Sequence, residues 1–265
     1  MKKQIESAEN SAHSNKLLQR KIAVITGATR GIGLEIAKTF GLNGADIIGI
    51  SRNQNRYDSS RAFFDEHEII FSYFQGDVTD PDRLREIALE IKRIYQRVNI
   101  LVNNAGSASI RSGIKTMTVG EWKQVIDINL NSMFYVTSCM LPLLLNKPTY
   151  ESASVINISS IAARIGTRKV AYTAAKAGVL GFTKGLAGSL AEDNIRVNAI
   201  LPGAVSTDLT SGWSKSQRMD IEGKIPLGSI AEAAEIADAA LFLALPLSRY
   251  ITGQSLDVNG GWIMP

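Results

Sequence analysis

Only one cysteine, Cys139, and two histidines, His13 and His67, occur among the 265 residues. A lone thiol cannot close an intrachain disulfide, and without a Cys/His cluster there is no zinc site, so no metal is expected. No nucleophile motif surrounds Cys139; beside Val136, Met140 and Leu141 it reads as a core thiol on a buried helix face. No segment approaches the ~18 uninterrupted apolar residues of a membrane span, and residues 1–19 lack the apolar run of a secretory signal. The expectation is a cytoplasmic protein with no membrane partner. Charge of one sign is scarce too: the net charge is +4, and Lys2, Lys3, Lys16 and Arg20 against Glu6 and Glu9 supply half of it. No basic stripe with interleaved aromatics is present, which excludes nucleic acid as the expected partner.

What the chain has is 45% hydrophobic residues in a regular alternation of short β-branched runs and longer helix-like segments. Strands are predicted at 21–26, 45–51, 69–75, 99–103, 153–159, 195–201 and 254–258. That alternation is the signature of an α/β fold, a doubly wound parallel sheet with helices on both faces. A single domain over residues 20–265 follows, preceded by a flexible polar extension at 1–19. After Asp80-Pro81, the steps between Leu84, Ile87, Ile91 and Ile94 predict a helix with these four on the sheet and Arg85, Glu86, Glu90 and Arg93 in water. Asn53–Arg61 reads as a loop entering a short helix. Asp208–Gly228, polar but carrying Trp213, Met219 and Ile221, reads either as a surface loop or as a segment bordering a site.

Three motifs carry chemistry. Lys21–Gly33 is an apolar run that breaks into Gly27-Ala-Thr29-Arg30-Gly31-Ile32-Gly33 and then a helix-like segment. Glycines allow a tight turn and close backbone approach, and the N–H groups of a helix start suit a pyrophosphate. Tyr172 and Lys176, four apart in an Ala-rich segment, fall on one helix face, where an ammonium can hold a phenol's pKa down. Val155-Ile-Asn-Ile-Ser-Ser160 places a hydroxyl at a strand's end ahead of them.

With Leu101-Val-Asn-Asn-Ala-Gly106 and Asn129 between these motifs, and Ile195–Gly203 and Tyr250–Gly261 after them, the chain resembles the classical short-chain dehydrogenase/reductase family over about residues 20–263. The resemblance implies a seven-stranded Rossmann fold and hydride transfer between a nicotinamide dinucleotide and a ketone or secondary alcohol. It assigns Tyr172 as proton donor, Ser160 as a hydrogen-bond donor to the same oxygen, and Lys176 to the nicotinamide ribose and to acidifying Tyr172. Asn129 would hold a water linking Lys176 to solvent. From Ser160 to Tyr172 is one residue fewer than is usual in the family. Ser159 would restore the count; Ser160 is preferred because the second serine stands at the strand's end, which puts the missing residue in the loop Arg164–Val170. Its Arg168-Lys169 pair is either solvated charge or an attraction for an anionic substrate.

Gly27, Thr29, Arg30, Gly31, Ile32 and Gly33 would cradle the cofactor. At the end of the second strand Ser51 stands where an NAD enzyme usually has an acid, and Arg52 follows. With Arg30 this favours NADP(H), whose 2′-phosphate a guanidinium can bind bidentately. By resemblance, Asp77 and the adjoining Val78 would meet the adenine, Asn104, Ala105 and Gly106 the adenosine, and Pro202, Gly203, Val205 and Thr207 the nicotinamide. The overall pattern is most similar to 3-oxoacyl thioester reductases, although the positions compared with an acyl carrier protein's docking residues hold Glu151 and Gly188. Alternatives are a carbonyl reductase for another small ketone, sugar or secondary metabolite, and a non-catalytic NADP(H)-binding sensor or scaffold. Family members commonly form tetramers through the helix after Gly120 and the helix carrying Tyr172. Met133, Phe134, Val136 and Met140 exceed one sheet-facing stripe, and Trp262, Ile263 and Met264 are expected to pack on another subunit or over the cleft.

Overall fold

The computed structural model describes residues 16–108, 113–208 and 210–265. Most of the predicted extension therefore lies outside the described residues. Residues 17–20 form a turn, and Leu18 is buried, its N–H bonded to the Asn43 carbonyl at 2.8 Å. The folded part thus starts before residue 20; a single apolar residue in a polar stretch gives no periodicity to announce it.

Seven strands make one parallel sheet: β1 (Ile22–Thr26), β2 (Asp46–Ser51), β3 (Phe71–Gln75), β4 (Ile100–Asn103), β5 (Ala153–Ile158), β6 (Ile195–Pro202) and, last in the chain, β9 (Ser255–Val258), in the order β3-β2-β1-β4-β5-β6-β9. A two-stranded parallel ribbon of β7 (Val205–Ser206) and β8 (Ala231–Glu232) was too short to show in the pattern. The helices are α1 (Gly31–Leu42), α2 (Gln54–Glu66), α3 (Pro81–Tyr95), α4 (Val119–Ile126), α5 (Ser132–Leu145), α6 (Val170–Leu190), α7 (Lys215–Glu222) and α8 (Ala233–Ala244). The central strands read as unbroken apolar runs because both faces are covered. Alternate residues serve opposite cores: Ala23, Ile25, Ile47 and Ile156 meet Ile36 and Phe40 of α1 and Ile236 and Ala240 of α8. Val24, Ile48, Leu101 and Val155 meet Leu84, Ile87 and Ile91 of α3, Val136 and Met140 of α5 and Leu190 of α6.

In α3 the Asp80 carboxylate accepts from the N–H groups of Asp82 and Arg83 at 3.1 and 3.0 Å, and Pro81 opens the helix. Leu84, Ile87 and Ile91 are buried as expected, but Ile94 is 56% exposed: the sheet has ended by the last turn. The polar stretch at Asn53 is the cap of a full helix, its side chain accepting from the Arg56 N–H. Asp208–Gly228 is not loop throughout. Ser214 and Gln217 form a capping box that starts α7, none of whose residues is buried, while Trp213, Ile221 and Trp262 pack on Ala204, Ile225 and Ile230. Trp262 is thus covered by its own chain, while Met264 is 76% exposed.

Between α4 and α5, Asp127–Asn131 is a π-helical turn, so Val119–Leu145 runs as one helix. By length and composition it could cross a membrane, yet it packs within the fold, α4 against α6 and α5 against α3. Met133, Val136 and Met140 are buried inside the chain and leave only Phe134 of the four proposed interface positions exposed. Cys139 is half-buried on the flank of α5, not fully in the core. Burial raises its pKa against the opposing influence of Arg85, which keeps it a thiol.

Ile91→Ala should cost about 2–5 kcal/mol in urea unfolding, whereas Ile94→Ala should stay within about 0.5 kcal/mol. Equal losses would show that α3 is rotated from the placement described.

Candidate active site

The carboxyl ends of β1, β4, β5 and β6 converge where the strand order reverses on either side of β1, the place where an open parallel sheet leaves a crevice. Two residues fasten its floor. Thr26 Oγ1 accepts from the N–H groups of Asn104 and Ala105 at 2.9 and 3.0 Å, and Asn104 Nδ2 donates to the Thr26 carbonyl at 2.9 Å. Gly27 turns the chain with φ of +68°, its N–H bonded to the Ile50 carbonyl at 2.8 Å. A Cβ on Gly33 would lie 2.3 Å from the Gly27 carbonyl oxygen and 2.4 Å from Asn104 Nδ2, so no side chain fits. Arg30 precedes α1 without a side-chain cap, and the first turn carries no acid. This bare helix start beside a tight glycine turn fits a pyrophosphate. Ile32 packs on the core, so any contact it makes there is through its backbone.

At the end of β2, Ser51 Oγ is 3.1 Å from Thr29 Oγ1, and the Ser51 carbonyl accepts from Tyr73 Oη at 2.8 Å. Arg52 Nη1 stands 3.5 Å from Asp77 Oδ2. Burial would raise the Asp77 pKa, but the Thr79 N–H and hydroxyl, at 2.9 and 2.8 Å, and the Arg52 guanidinium more than offset it and hold it below the ordinary value. Val78 is buried. Arg30 Nη1 and Arg56 Nη1 both approach Asp208 Oδ2, at 3.7 and 2.9 Å. Arg56 carries no motif in the sequence, where Asn53–Arg61 reads as a loop entering a short helix; the structure places it in the first turn of α2. On the far side of the cleft Pro202 ends β6, Gly203 follows, and Val205 is buried in β7, which leaves only its backbone to face a ligand. Thr207 lies over the glycine turn, 3.5 Å from where a Cβ on Gly31 would be.

Ser159 and Ser160 have separate fates. Ser159 is buried and donates its hydroxyl to the Lys176 carbonyl at 2.8 Å. Ser160 is half-buried, its Oγ accepts from the Ala162 N–H at 3.1 Å, and it lies close enough to the Tyr172 phenol to lower its pKa. Ser159 is therefore committed to holding α6 on β5, and Ser160 is the serine that meets Tyr172. Lys176 is 3% exposed, with Nζ donating to the Ile158 carbonyl at 2.8 Å and lying 5.8 Å from the Tyr172 ring centroid. Burial lowers its pKa to about 8. The expected acidification of Tyr172 is not what this arrangement produces. Burial raises the phenol's pKa, and the nearby Ser160 opposes it only in part.

Asn129 sits in the π-helical turn, fully buried, a common location for functional groups. Its Oδ1 accepts from the Ser107 N–H at 3.0 Å, and Nδ2 donates to the carbonyls of Ser107 and Val125 at 2.8 and 3.0 Å. The side chain is spent on holding the segment after β4 that carries Gly106. A Cβ on Gly106 would stand 2.8 Å from Asn129 Oδ1 and 3.5 Å from Lys176 Nζ, so these three residues meet at one point. Ala105 is half-buried beside them. Glu151 and Gly188, in contrast, are nowhere near the cleft. Glu151 precedes β5 at the amino-terminal ends of the strands, paired with Lys21 at 3.4 Å, and Gly188 lies about 24 Å along α6 from Tyr172. No cluster that could hold a metal occurs among the described residues.

Comparison with known proteins agrees with this fold. A family profile described as enoyl-(acyl carrier protein) reductase matches residues 27–263. The 3-oxoacyl-[acyl-carrier-protein] reductase FabG of Escherichia coli (strain K12) is 37% identical over 245 residues, covering 92% of this chain and 98% of that protein. The protein of the same name from Chlamydia muridarum is 38% identical over 250 residues, covering 93% and 99%. Among solved structures, carveol dehydrogenase from Mycobacterium avium in complex with NAD superposes with a TM-score of 0.87 at 27% identity, over 93% of this chain and 99% of its own. Ligand-free aldohexose dehydrogenase from Thermoplasma acidophilum gives 0.82 at 30% identity, over 94% and 96%.

A lysine whose pKa falls from 10.5 to about 8 on folding burdens the fold. The cost is present in full below pH 8 and fades as pH rises toward the unfolded value. Lys176→Met should relieve roughly 3 kcal/mol, less about 1 kcal/mol for the bond lost by the Ile158 carbonyl. The variant is expected to melt a few degrees above the wild type at pH 7, with the gain shrinking by pH 10. A lower melting temperature at pH 7 would show that the ammonium is no burden.

Proposed function

The chain belongs to the short-chain dehydrogenase/reductase family, and from that premise we propose that it reduces the ketone of a 3-oxoacyl thioester to the secondary alcohol with NADP(H). Family membership makes it an oxidoreductase of CH–OH and C=O groups that uses a nicotinamide cofactor. The finer reading rests on one observation above others: Tyr172, with Ser160 close enough to lower its pKa, stands 5.8 Å by its ring centroid from the buried Lys176 ammonium. The glycine turn and the start of α1 would hold the dinucleotide, with Asp77 and Asn104 toward the adenosine and Gly203 and Thr207 toward the nicotinamide. Arg30, Arg52 and Ser51 would take the 2′-phosphate. When bound, the cofactor supplies the hydride.

The chain supplies the proton. Charge that develops on the ketone oxygen is met by the Ser160 hydroxyl and neutralised by the Tyr172 phenol, whose proton passes to that oxygen. A phenol with a raised pKa is protonated at neutral pH, the form that reduction needs. Lys176, buried 5.8 Å from the Tyr172 ring centroid, would favour the phenolate left behind, though not by enough to bring the phenol's pKa below its ordinary value. Asn129 acts in this scheme through the chain it fixes around Gly106, beside any water that returns a proton to Lys176.

The acyl thioester reading draws support from the reductase names of the relatives. Glu151 and Gly188, being remote from the cleft, weigh neither for nor against an acyl carrier protein. Exposed Val119, Trp122, Phe134 and Leu145 along α4 and α5 support a homotetramer, and a solution mass of one chain would overturn that assembly.

The deciding measurement is oxidation of NADPH, beside NADH, with a short 3-oxoacyl thioester. Wild type should prefer NADPH, and Tyr172→Phe should lose about 10²–10⁴-fold in kcat. The reduction rate should be level near neutrality and fall above pH 8, as Lys176 loses its proton. Unchanged turnover in Tyr172→Phe would overturn the mechanism; tight NADPH binding without turnover would transfer the site to another ketone or to a sensing role.

A further inference from the structure

We infer that Asp208 and Arg56 set the cofactor's phosphate selectivity: the Asp208 carboxylate holds the arginine site until a 2′-phosphate displaces it, and the displacement moves the segment beside the nicotinamide end. The inference rests on the NADP(H) reading above and adds two residues to it.

Arg30 comes from the glycine turn, Arg56 from the first turn of α2, and Asp208 from the segment after β7, so three remote stretches meet at one carboxylate oxygen. One oxygen shared by two guanidiniums leaves uncompensated positive charge. The third guanidinium of the group, Arg52, is drawn instead to Asp77 at 3.5 Å. The side chains of Arg30, Arg56 and Asp208 are 47%, 42% and 59% exposed, and ion pairs this open are weak. A phosphate dianion offers more charge and several oxygens to the same donors, and it binds guanidinium bidentately. It therefore wins the competition, whereas a bare ribose hydroxyl does not. A carboxylate left next to the dianion is repelled, and Asp208 must swing away.

Its neighbours go with it. Thr207 lies over Gly31, and Ser206, Thr207, Asp208 and Thr210 with Trp213 and Arg218 wall a cleft of about 300 Å³. Occupation of the phosphate site is thereby transmitted to the segment that leads into α7. A dinucleotide without the 2′-phosphate would leave the Asp208 pairing in place and the segment where it is.

The test uses adenosine 2′,5′-bisphosphate and AMP, which differ at the 2′ position alone, titrated calorimetrically against the full chain, with hydrogen exchange followed over residues 204–228. Wild type should bind the bisphosphate more tightly than AMP. Asp208→Asn should tighten the bisphosphate about three- to tenfold and leave AMP within about twofold; Arg56→Gln should weaken the bisphosphate by about tenfold and spare AMP. In the wild type, exchange in the segment should rise with the bisphosphate and not with AMP. Equal binding of the two nucleotides by wild type would overturn the NADP(H) reading and this inference together. Wild-type preference for the bisphosphate with an unchanged ratio in Asp208→Asn would overturn this inference alone and reduce the pairing to a surface contact.

Discussion

The clasp between Thr26 and Asn104 is the contact on which the cleft depends. Parallel neighbours β1 and β4 have to separate at their carboxyl ends for a ligand to enter, yet the backbone N–H groups exposed there still need partners. Thr26 Oγ1 takes two of them, from Asn104 and Ala105, and Asn104 returns a bond to the Thr26 carbonyl. The crevice is thus opened without leaving buried donors unpaired. Gly33 then packs so close to Gly27 and Asn104 that helix, turn and strand become one unit. A hydroxyl and an amide, not an apolar contact, define the floor on which a dinucleotide would lie.

A second set of polar bonds aligns the chemical groups. Asn103 Nδ2 donates to Thr137 Oγ1 at 3.0 Å and to Asn157 Oδ1 at 2.9 Å, and Asn157 Nδ2 donates to Thr183 Oγ1 at 3.0 Å. This buried ladder crosses β4 and β5 and reaches both α5 and α6. Above it, Ser159 bonds the Lys176 carbonyl while Lys176 Nζ bonds the Ile158 carbonyl, so strand end and helix grip each other in both directions. Buried polar networks of this kind fix a geometry more than they add stability. Ser160 and Tyr172 inherit their positions from it.

What was legible in the sequence follows from this division of labour. The seven long strands were readable because burial on both faces makes each one an uninterrupted apolar run. The glycine turn and the Tyr172, Lys176 pair were readable because their spacing is itself the geometry. Leu18 and Ile94 were not, since the fate of a single apolar residue depends on where the sheet ends. Arg56 and Asp208, 152 residues apart, share no local pattern at all. The pKa of Tyr172 is not legible in the sequence for a related reason: helical spacing brings an ammonium near a phenol, but the direction of Nζ and the depth of burial are set by the Ile158 carbonyl and by the packing of α6 on β6. Glu151 and Gly188 failed because motif alignment carries no sense of strand direction; β5 runs toward the site, and whatever precedes it must lie at the other end of the strands.

Two electrostatic regimes coexist in the cleft. Lys176 is enclosed, and its charge acts across a few ångströms of protein with little screening. Arg30, Arg52, Arg56 and their acidic partners are open to solvent, where charges farther apart than about 8 Å hardly interact at physiological salt. On the function proposed above, a proton-transfer end built on Lys176 would be insensitive to ionic strength. A phosphate bound among the arginines would be tuned by it, because added ions compete with the carboxylate and with the phosphate alike. Discrimination between dinucleotides would then be an adjustable property of the surface, and the chemistry beneath it one fixed by burial.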